Sequence, residues 1–421
     1  MQRRIFLRNS ALTMGTMGLS PTFLRRTVFA AELPQTREGK ILVCLFQRGA
    51  ADALNMVVPF GERAYYDLRP NLAIPSPSKS AAEGAAAIDL DGFFGLHPSL
   101  GALAPLYRQG MLAPIHAVGS PSSTRSHFDA QDYMESGTPD VKATRDGWLN
   151  RLLAVRGTCE ACATTPPSPF RAVAMTPQTP RALEGPEPVV AMSSLGEFTV
   201  RAPDASASQL EALYRTGDVD LVHGAGRDMF EAVKMLRAAN PAKYTTERGA
   251  EYPRGTLGQR LKEIAQLIKA NLGLQVAFAD VGGWDTHVNQ GGANGLMANR
   301  LDDFARSIAA FVTDLGDRMQ DVVIVTMSEF GRMAHQNGTG GTDHGHAGAM
   351  FVIGGAVHGA RVHGKWPGLE REQLYEGRDL ALTTDFRSVF SEIVSRHMGV
   401  ERPDAIFPGF SGDRAGWLGL L

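Results

Sequence analysis

Two short segments of the sequence concentrate side chains that bind divalent metal ions. The first is Asp285-Thr286-His287, after an apolar run and two glycines, and the second is Asp343-His344-Gly345-His346, after a glycine-rich loop. Carboxylate oxygens and imidazole nitrogens are the usual ligands of zinc and related metals. Because residues i and i+2 of an extended segment share a face, Asp285 and His287 are predicted to point the same way. The alternative interpretation is a hydrogen-bonded Asp/His pair in a polar turn for the first segment and a solvated polar loop for the second.

The segment Thr124-Arg125-Ser126-His127 carries residues suited to attack on an ester. Ser126 and Asp129 have the spacing of a capping box that begins a helix. A hydroxyl at a helix N-terminus lies in a positive field, which favours an oxyanion or a bound anion. Ser126 is therefore a candidate nucleophile, and Arg125 and His127 beside it would suit a phosphate or sulfate ester. Helix capping alone explains the same residues.

Polar residues also follow two other apolar runs. Arg48 and Asp52 come after the run 41–46, where Asp52 offers a hard carboxylate and Arg48 a partner for an anion. Glu329 and Arg332 come after the run 322–327. In α/β sheets, sites gather at the carboxyl ends of strands, which makes both places candidates for chemistry. An ordinary strand-to-helix turn with a capping aspartate is the alternative interpretation of the first.

The apolar runs that precede these segments predict the strands of a buried sheet. They are short and continuous, as in parallel sheets, and they alternate with segments of helical periodicity. The sequence therefore predicts an α/β fold with a mostly parallel central sheet and helices on both faces. The predicted strands are Ile41–Phe46, Met111–Val118, Val189–Met192, Leu274–Val281, Val322–Met327 and Met350–Ile353, and the predicted helices are Ser208–Tyr214, Asp228–Ala239, Thr256–Asn271, Leu296–Arg318 and Phe386–His397.

The N-terminal thirty residues predict an export signal. Arg3 and Arg4 precede an apolar stretch, and Val28-Phe29-Ala30 ends it with a small-residue cleavage site. Paired arginines specify the twin-arginine export machinery, which predicts a periplasmic or secreted protein. A basic amphipathic anchor is the alternative interpretation. In an oxidising compartment we expect Cys159 and Cys162 to close a local disulfide rather than form a redox or metal site.

Length, charge and hydropathy bound the remaining classes. The 421 residues are 43% hydrophobic and carry a formal charge of −2, which becomes about −7 once the five arginines of residues 1–30 are removed. An acidic chain has no basic excess to attract nucleic acid, so no nucleic-acid partner is expected. No apolar run reaches the roughly 18 residues of a membrane span. We therefore expect residues 31–421 to form one large domain with no transmembrane segment.

Taken in order, these segments resemble the domain-of-unknown-function 1501 family of exported bacterial proteins over nearly the whole mature chain. That family is similar to the alkaline phosphatase and sulfatase superfamily. The similarity implies an alkaline-phosphatase-like α/β domain with one or two divalent ions (Zn, Mn, Mg or Ca) that hydrolyses phosphate or sulfate esters. The most specific stretches are Phe46–Pro59, Gly119–Gly137, Gly282–Gln290, Thr326–Arg332, Gly341–His346 and Thr383–Arg387.

The same resemblance implies a set of metal ligands. Where the superfamily commonly has Asp-His, this chain has Glu329-Phe330, and a phenylalanine cannot bind a metal. The second ion is therefore missing unless Asp343 or His344 completes its site. No cysteine fits the Cys-x-Pro-x-Arg pattern of formylglycine sulfatases, which argues against that mechanism. The implied ligands are Asp52, Asp285, His287, Glu329 and His346, with Asp343 and His344 in reserve.

The resulting hypothesis is an exported metal-dependent hydrolase. Its anionic ester substrate would bind to Arg48, Arg125 and Arg332. The attacking group would be a metal-bound water or the hydroxyl that the resemblance implies, Ser126 with Thr124 as the other candidate. The alternative is a non-catalytic exported protein that retains the fold and serves in envelope or surface-polysaccharide assembly, which Phe330 favours. A nicotinamide or flavin oxidoreductase is disfavoured because the chain lacks a G-x-G-x-x-G fingerprint.

Overall fold

The computed structural model of the chain describes residues 39–77, 84–157, 168–196, 230–236 and 244–421. The predicted signal, the Cys159–Cys162 pair and the predicted helix at 208–214 lie outside these residues. The described residues belong to one compact unit, Gly39–Leu421. No helix within the described ranges is long and apolar enough to cross a membrane.

Short apolar runs form the strands, as the sequence predicts. All six predicted runs contain or overlap a strand, and β1 (Ile41–Gln47) is buried along its whole length. The other strands are β2 (Val57–Val58), β3 (Ile88–Asp89), β4 (Gly95–Leu96), β5 (Leu112–Gly119), β6 (Ala172–Ala174), β7 (Val190–Ala191), β8 (Val276–Val281), β9 (Val322–Met327), β10 (Gly348–Gly354) and β11 (Thr384–Asp385).

Most of these strands pair into one central sheet, in the order β11-β5-β10-β9-β1-β8-β6-β7. The strand β10 pairs antiparallel with β5 and β9, and the other pairings within this sheet are parallel. The mostly parallel sheet predicted from the sequence is confirmed. A smaller antiparallel sheet has the order β2-β4-β3.

Helices cover both faces of the central sheet. In β1, Val43 and Leu45 point into one core with the helices Thr256–Lys269 and Leu296–Leu315. Leu42 and Cys44 point into a second core with the helices Trp148–Gly157 and Phe386–Arg396. Each buried aliphatic side chain stabilises the fold by about 1.5–3 kcal/mol. The labelled helices are α1 (Ala53–Met56), α2 (Arg63–Leu68), α3 (Ala104–Arg108), α4 (His127–Ser136), α5 (Trp148–Gly157), α6 (Thr256–Lys269), α7 (Leu296–Leu315) and α8 (Phe386–Arg396). Residues 230–236, within the predicted helix Asp228–Ala239, are also helical.

The loops that carry the predicted site meet at one edge of the sheet. Residues 48–52, 120–126, 282–290 and 328–347 follow the carboxyl ends of β1, β5, β8 and β9. The loop after β1 lies against the loop after β8. The two are so close at Gly49 that an added Cβ atom there would lie 2.7 Å from the backbone nitrogen of Asp285. Gly49 also has a φ of 118°, a conformation that favours glycine.

Candidate metal centre

Four side chains converge at this edge. His127 Nε2 lies 3.5 Å from Asp285 Oδ2, and His344 Nε2 lies 3.3 Å from Asp285 Oδ1. One ligand atom from each of these three residues lies within 4.8 Å of the other two. His287 joins them, with its Nε2 2.9 Å from His344 Nε2 and 3.0 Å from Asp285 Oδ1. We call these four residues the histidine–aspartate cluster.

Carboxylates orient two of the three imidazole rings. Glu329 Oε1 lies 2.8 Å from His127 Nδ1, and Asp343 Oδ1 lies 2.9 Å from His287 Nδ1. A carboxylate accepts hydrogen bonds, so the Nδ1 of each ring is protonated and donates. In the neutral ring the lone pair then lies on Nε2, which faces the cluster. Carboxylates commonly support metal-binding histidines in this way.

A backbone carbonyl orients the third ring, because His344 Nδ1 lies 2.9 Å from the oxygen of Arg125. The His127 Nε2 atom is buried and has no hydrogen-bond partner. The Nε2 atoms of His287 and His344 face each other at 2.9 Å. Arg332 Nη1 approaches His287 Nε2 only to 3.5 Å, at the limit of a hydrogen bond, so the two converging lone pairs still repel each other, and a cation between them removes that repulsion. The residues present therefore fit a divalent metal ion.

Glu329 is wholly buried behind His127 rather than within the cluster. Its Oε1 also accepts hydrogen bonds from the Gly49 nitrogen and Gln131 Nε2, each at 2.8 Å. Burial raises the pKa of Glu329, but the hydrogen bonds from His127 and Gln131 outweigh it and leave the pKa lowered. The hydrogen bond to Glu329 in turn raises the pKa of His127. From the sequence Glu329 is predicted to bind metal, whereas in the structure it supports a histidine.

Arg332 braces the loops around the cluster. Its guanidinium lies 2.6 Å from Asp285 Oδ1. Burial raises the pKa of Asp285, but Arg332 outweighs that effect and the pKa is lowered. From the sequence Arg332 is predicted to bind a substrate anion. In the structure its side chain is wholly buried and binds protein groups instead. It also donates to the backbone carbonyls of Gly49, Ala50, Trp284 and Thr342 at 2.8–3.0 Å.

Arg48 and Arg125, the other predicted substrate-binding arginines, are engaged in ion pairs. About a quarter of each side chain remains exposed, 25% for Arg48 and 26% for Arg125. Each guanidinium contacts two carboxylates, so its charge is already balanced within the chain. The partners are Asp280 and Glu135 for Arg48, at 2.7 and 2.9 Å, and Glu376 and Asp379 for Arg125, at 2.6 and 2.7 Å.

Asp52 lies in a buried ion pair outside the cluster. Its Oδ2 accepts hydrogen bonds from Arg69 Nη1 and Gln290 Nε2, both at 2.6 Å. Because a guanidinium stays charged at any working pH, it balances the Asp52 carboxylate permanently. The structure therefore does not bring this predicted ligand to the others.

His346 also lies outside the cluster. Its ring stacks on Tyr375 with the centroids 4.2 Å apart, and burial lowers its pKa. His344 faces the cluster instead, while Asp343 lies behind His287. Of the dense segment Asp343–His346, one residue faces the centre, one supports it and one packs away from it.

Ser126 is the N-cap residue of α4, but its side chain makes no capping hydrogen bond. The expected partner Asp129 instead pairs with Lys142 at 2.6 Å. Thr124 Oγ1 accepts from the Ser126 nitrogen at 3.2 Å. The exposed Ser126 hydroxyl thus immediately precedes His127 with no local role in capping the helix.

Phe330 forms an apolar wall beside the cluster. Its ring centroid lies 5.0 Å from that of His127 and 5.0 Å from that of His344. It is 4% exposed and packs with Ala50 and Ala130. As expected of a phenylalanine, the ring offers the cluster no metal ligand.

Several supporting residues escape sequence reasoning. Gln131 contacts Glu329 and follows His127 by four positions on α4, a spacing that puts both side chains on one helix face and was available in the sequence. Arg69 and Asp379 lie in segments without any motif. Their roles depend on partners that the fold brings from far along the chain.

These features define an α/β protein whose mostly parallel sheet carries a histidine–aspartate cluster at its carboxyl edge. The chain belongs to the family described as "Protein of unknown function (DUF1501)", which matches residues 39–406. The family resemblance predicted from the sequence is confirmed. No curated protein matches the chain.

Similar solved structures include the zinc complex of the C-terminal periplasmic domain of EcEptC from Escherichia coli, at 11% identity over 76% of this chain and 74% of that one, with a TM-score of 0.33. PsFucS1 sulfatase from Pseudoalteromonas sp. is 10% identical over 94% and 75%, with a TM-score of 0.35. The phosphonate monoester hydrolase of Agrobacterium radiobacter is 10% identical over 90% and 78%, with a TM-score of 0.32.

Proposed function

We propose that the chain is a metal-dependent hydrolase of phosphate or sulfate esters, with one divalent ion bound by His127, Asp285, His287 and His344. The observation that carries the proposal is that three Nε2 atoms lie within 3.0–3.5 Å of the Asp285 carboxylate while every Nδ1 has an acceptor. Three imidazoles and a carboxylate suit zinc or another first-row transition metal better than Mg²⁺ or Ca²⁺, which prefer oxygen ligands. The Phe330 wall supports one ion rather than two.

When bound, such an ion would lower the pKa of a water or hydroxyl and polarise an ester oxygen. Glu329 lies behind His127 and Asp343 lies behind His287. Each carboxylate keeps its ring in the tautomer whose unprotonated Nε2 faces the cluster. Asp285 and His287 keep 46% and 38% of their side chains exposed, so solvent and substrate can approach from their side. The uncapped Ser126 hydroxyl, next to His127, is the proposed nucleophile, with a metal-bound water as the alternative.

Metal content of the full chain, purified without chelators, tests the proposal. We expect about one ion per wild-type chain and none in Asp285→Ala, because that carboxylate contacts all three histidines. Asp404→Ala is the matched control, since Asp404 forms a surface ion pair with Arg402. A metal-free wild-type chain that also fails to hydrolyse p-nitrophenyl phosphate and p-nitrophenyl sulfate would remove the enzyme proposal.

Ser126→Ala separates the two nucleophiles. If the hydroxyl attacks, the variant keeps its metal and loses turnover. Unchanged turnover with unchanged metal content assigns the attack to water and leaves Ser126 without a chemical role.

A specific observation favours a second candidate, a metal-binding protein of envelope or surface-polysaccharide assembly without catalysis. All three arginines expected to bind an anionic substrate are committed to carboxylates of the chain. A chain that binds one metal ion per molecule but hydrolyses neither model ester supports this candidate.

We further propose export by the twin-arginine machinery, which rests on the N-terminal sequence alone. Replacing Arg3 and Arg4 with lysine should leave the unprocessed chain in the cytoplasm, as cell fractionation would detect. Export of the double variant at the wild-type level contradicts this route.

A further inference from the structure

A wholly buried carboxylate, Asp379, lies outside the cluster and holds two arginines. Its Oδ2 accepts from Arg125 Nε and Nη2 at 3.1 and 2.7 Å, and its Oδ1 accepts from Arg378 Nε at 2.9 Å. Hydrogen bonds between a guanidinium and a carboxylate are short, strong and directional, so Asp379 fixes the positions of both guanidinium groups.

Both arginines contact the same histidine of the cluster. The carbonyl oxygen of Arg125 accepts from His344 Nδ1 at 2.9 Å, and Arg378 Nη2 donates to the His344 carbonyl at 2.7 Å. Asp379 thus holds the residue that orients the His344 ring and the residue that anchors its backbone.

We propose that Asp379 is the positioning residue for His344, which it holds with Nδ1 protonated and Nε2 facing the cluster. The inference rests on the proposed metal site for its purpose. His127 and His287 have a carboxylate directly behind the ring, whereas His344 has a carbonyl whose place depends on Arg125. Asp379 thus supports His344 through Arg125, whereas a carboxylate contacts the rings of His127 and His287 directly.

The tautomer of His344 tests the positioning directly and without metal. In the metal-free full chain labelled with ¹⁵N-histidine, long-range ¹⁵N–¹H correlation should show His344 protonated on Nδ1. In Asp379→Asn we expect a mixture of tautomers at His344 and no change at His287. Glu376→Gln is the matched control, because Glu376 is half exposed and contacts Arg125 while the Asp379 pair stays intact.

Cobalt binding supplies the second readout. We expect Asp379→Asn to weaken Co²⁺ affinity by about 10–100-fold and to shift its visible absorption bands, as loss of an orienting partner does elsewhere. Glu376→Gln should stay within about threefold of wild type. A folded Asp379→Asn with the wild-type tautomer, affinity and spectrum overturns the inference.

Two further outcomes are decisive. If Asp379→Asn does not fold, Arg378→Met keeps the Arg125 pair and removes one contact to His344, so it should weaken Co²⁺ affinity in the same direction; wild-type affinity in Arg378→Met overturns the inference. If the wild-type chain binds no Co²⁺, the proposed metal function fails, and the tautomer measurement still decides the role of Asp379.

Discussion

His127 and His116 are both partly or wholly enclosed, and each has a buried ring nitrogen without a hydrogen-bond partner. The hydrogen bond to Glu329 raises the pKa of His127, whereas burial lowers the pKa of His116 to about 4. The His116 ring lies among aromatic rings, 4.8 Å from that of Phe94 and 5.1 Å from that of Trp366. One histidine is surrounded by charge and the other by apolar surface.

The comparison shows that an unpartnered nitrogen has no meaning apart from its neighbours. The His116 ring packs against two aromatic rings and burial favours its uncharged form, so a neutral imidazole serves as a core side chain. At His127 the free nitrogen faces Asp285 and a second imidazole, while a carboxylate fixes the opposite nitrogen. We expect substitutions in the two regions to separate metal affinity from stability.

The largest separation is expected for metal affinity. His127→Ala should weaken binding of Zn²⁺ or Co²⁺ by more than about 100-fold, beyond the loss typical of an orienting residue, because it removes a ligand. His116→Ala should leave the affinity within about threefold, although it opens a cavity in the core. Metal titration of both folded variants measures the difference. Equal affinities would remove His127 from the site.

The pH dependence of stability should show the opposite pattern. Because the pKa of His116 is near 4 in the folded chain and about 6.5 when unfolded, the unfolded chain binds more protons between these values. The contribution of the neutral His116 to the free energy of unfolding is therefore fully present above pH 6.5. About 3 kcal/mol of it is lost as the pH falls to 4.

Urea unfolding of the metal-free wild type and His116→Phe checks this sign. Between pH 7 and pH 4 the wild type should lose about 3 kcal/mol more than the variant. His397, whose pKa burial also lowers to about 4, stays in both chains and affects both equally. An identical loss in the two chains contradicts the assignment to His116.

Removing the charge behind His127 should have a smaller effect. Glu329→Gln keeps the side-chain shape but no longer forces the Nδ1 proton to face it, so we expect metal affinity to fall by about 10–100-fold. Glu184→Gln, which changes a half-exposed surface pair, is the control. Affinity unchanged in Glu329→Gln would show that the neutral amide orients His127 equally well.

The smallest effect is expected at the apolar wall. Phe330→Leu conserves most of the buried volume, so the free energy of unfolding should fall by less than about 1.5 kcal/mol. The number of bound ions should not change, because leucine adds no ligand. Thermal unfolding and metal analysis measure both, and a second bound ion in the variant would show that the ring excludes it.

The fold was largely predictable, because continuous apolar runs leave a buried strand few alternatives. The direction of β10 was not, since the same apolar residues suit a parallel or an antiparallel neighbour. Helix ends also shifted, as at α7, which ends at Leu315 where the periodicity predicted Arg318. A glycine there with a φ of 52° ends the helix.

The site was predictable where ligand-type residues are dense. Asp285, His287 and His344 all come from such segments, and the structure brings them together. The choice among Asp343, His344 and His346 depends on how one loop turns, which no local pattern records. Asp52 is predicted as a ligand because it follows a strand, but its charge is balanced by Arg69. Arg69 lies in no motif, so this pairing could not be predicted from the sequence.

The antiparallel direction of β10 has a consequence for chain entropy. Residues 328–347 leave the sheet at the end of β9 and return to it at the start of β10, so both ends of this loop are fixed at one edge by neighbouring strands. A parallel neighbour would have required a crossover to the far edge. The pairing of the two strands already brings the ends of this long loop together, which offsets the entropy lost on closing it. His344 can therefore be held on a segment without regular secondary structure of its own.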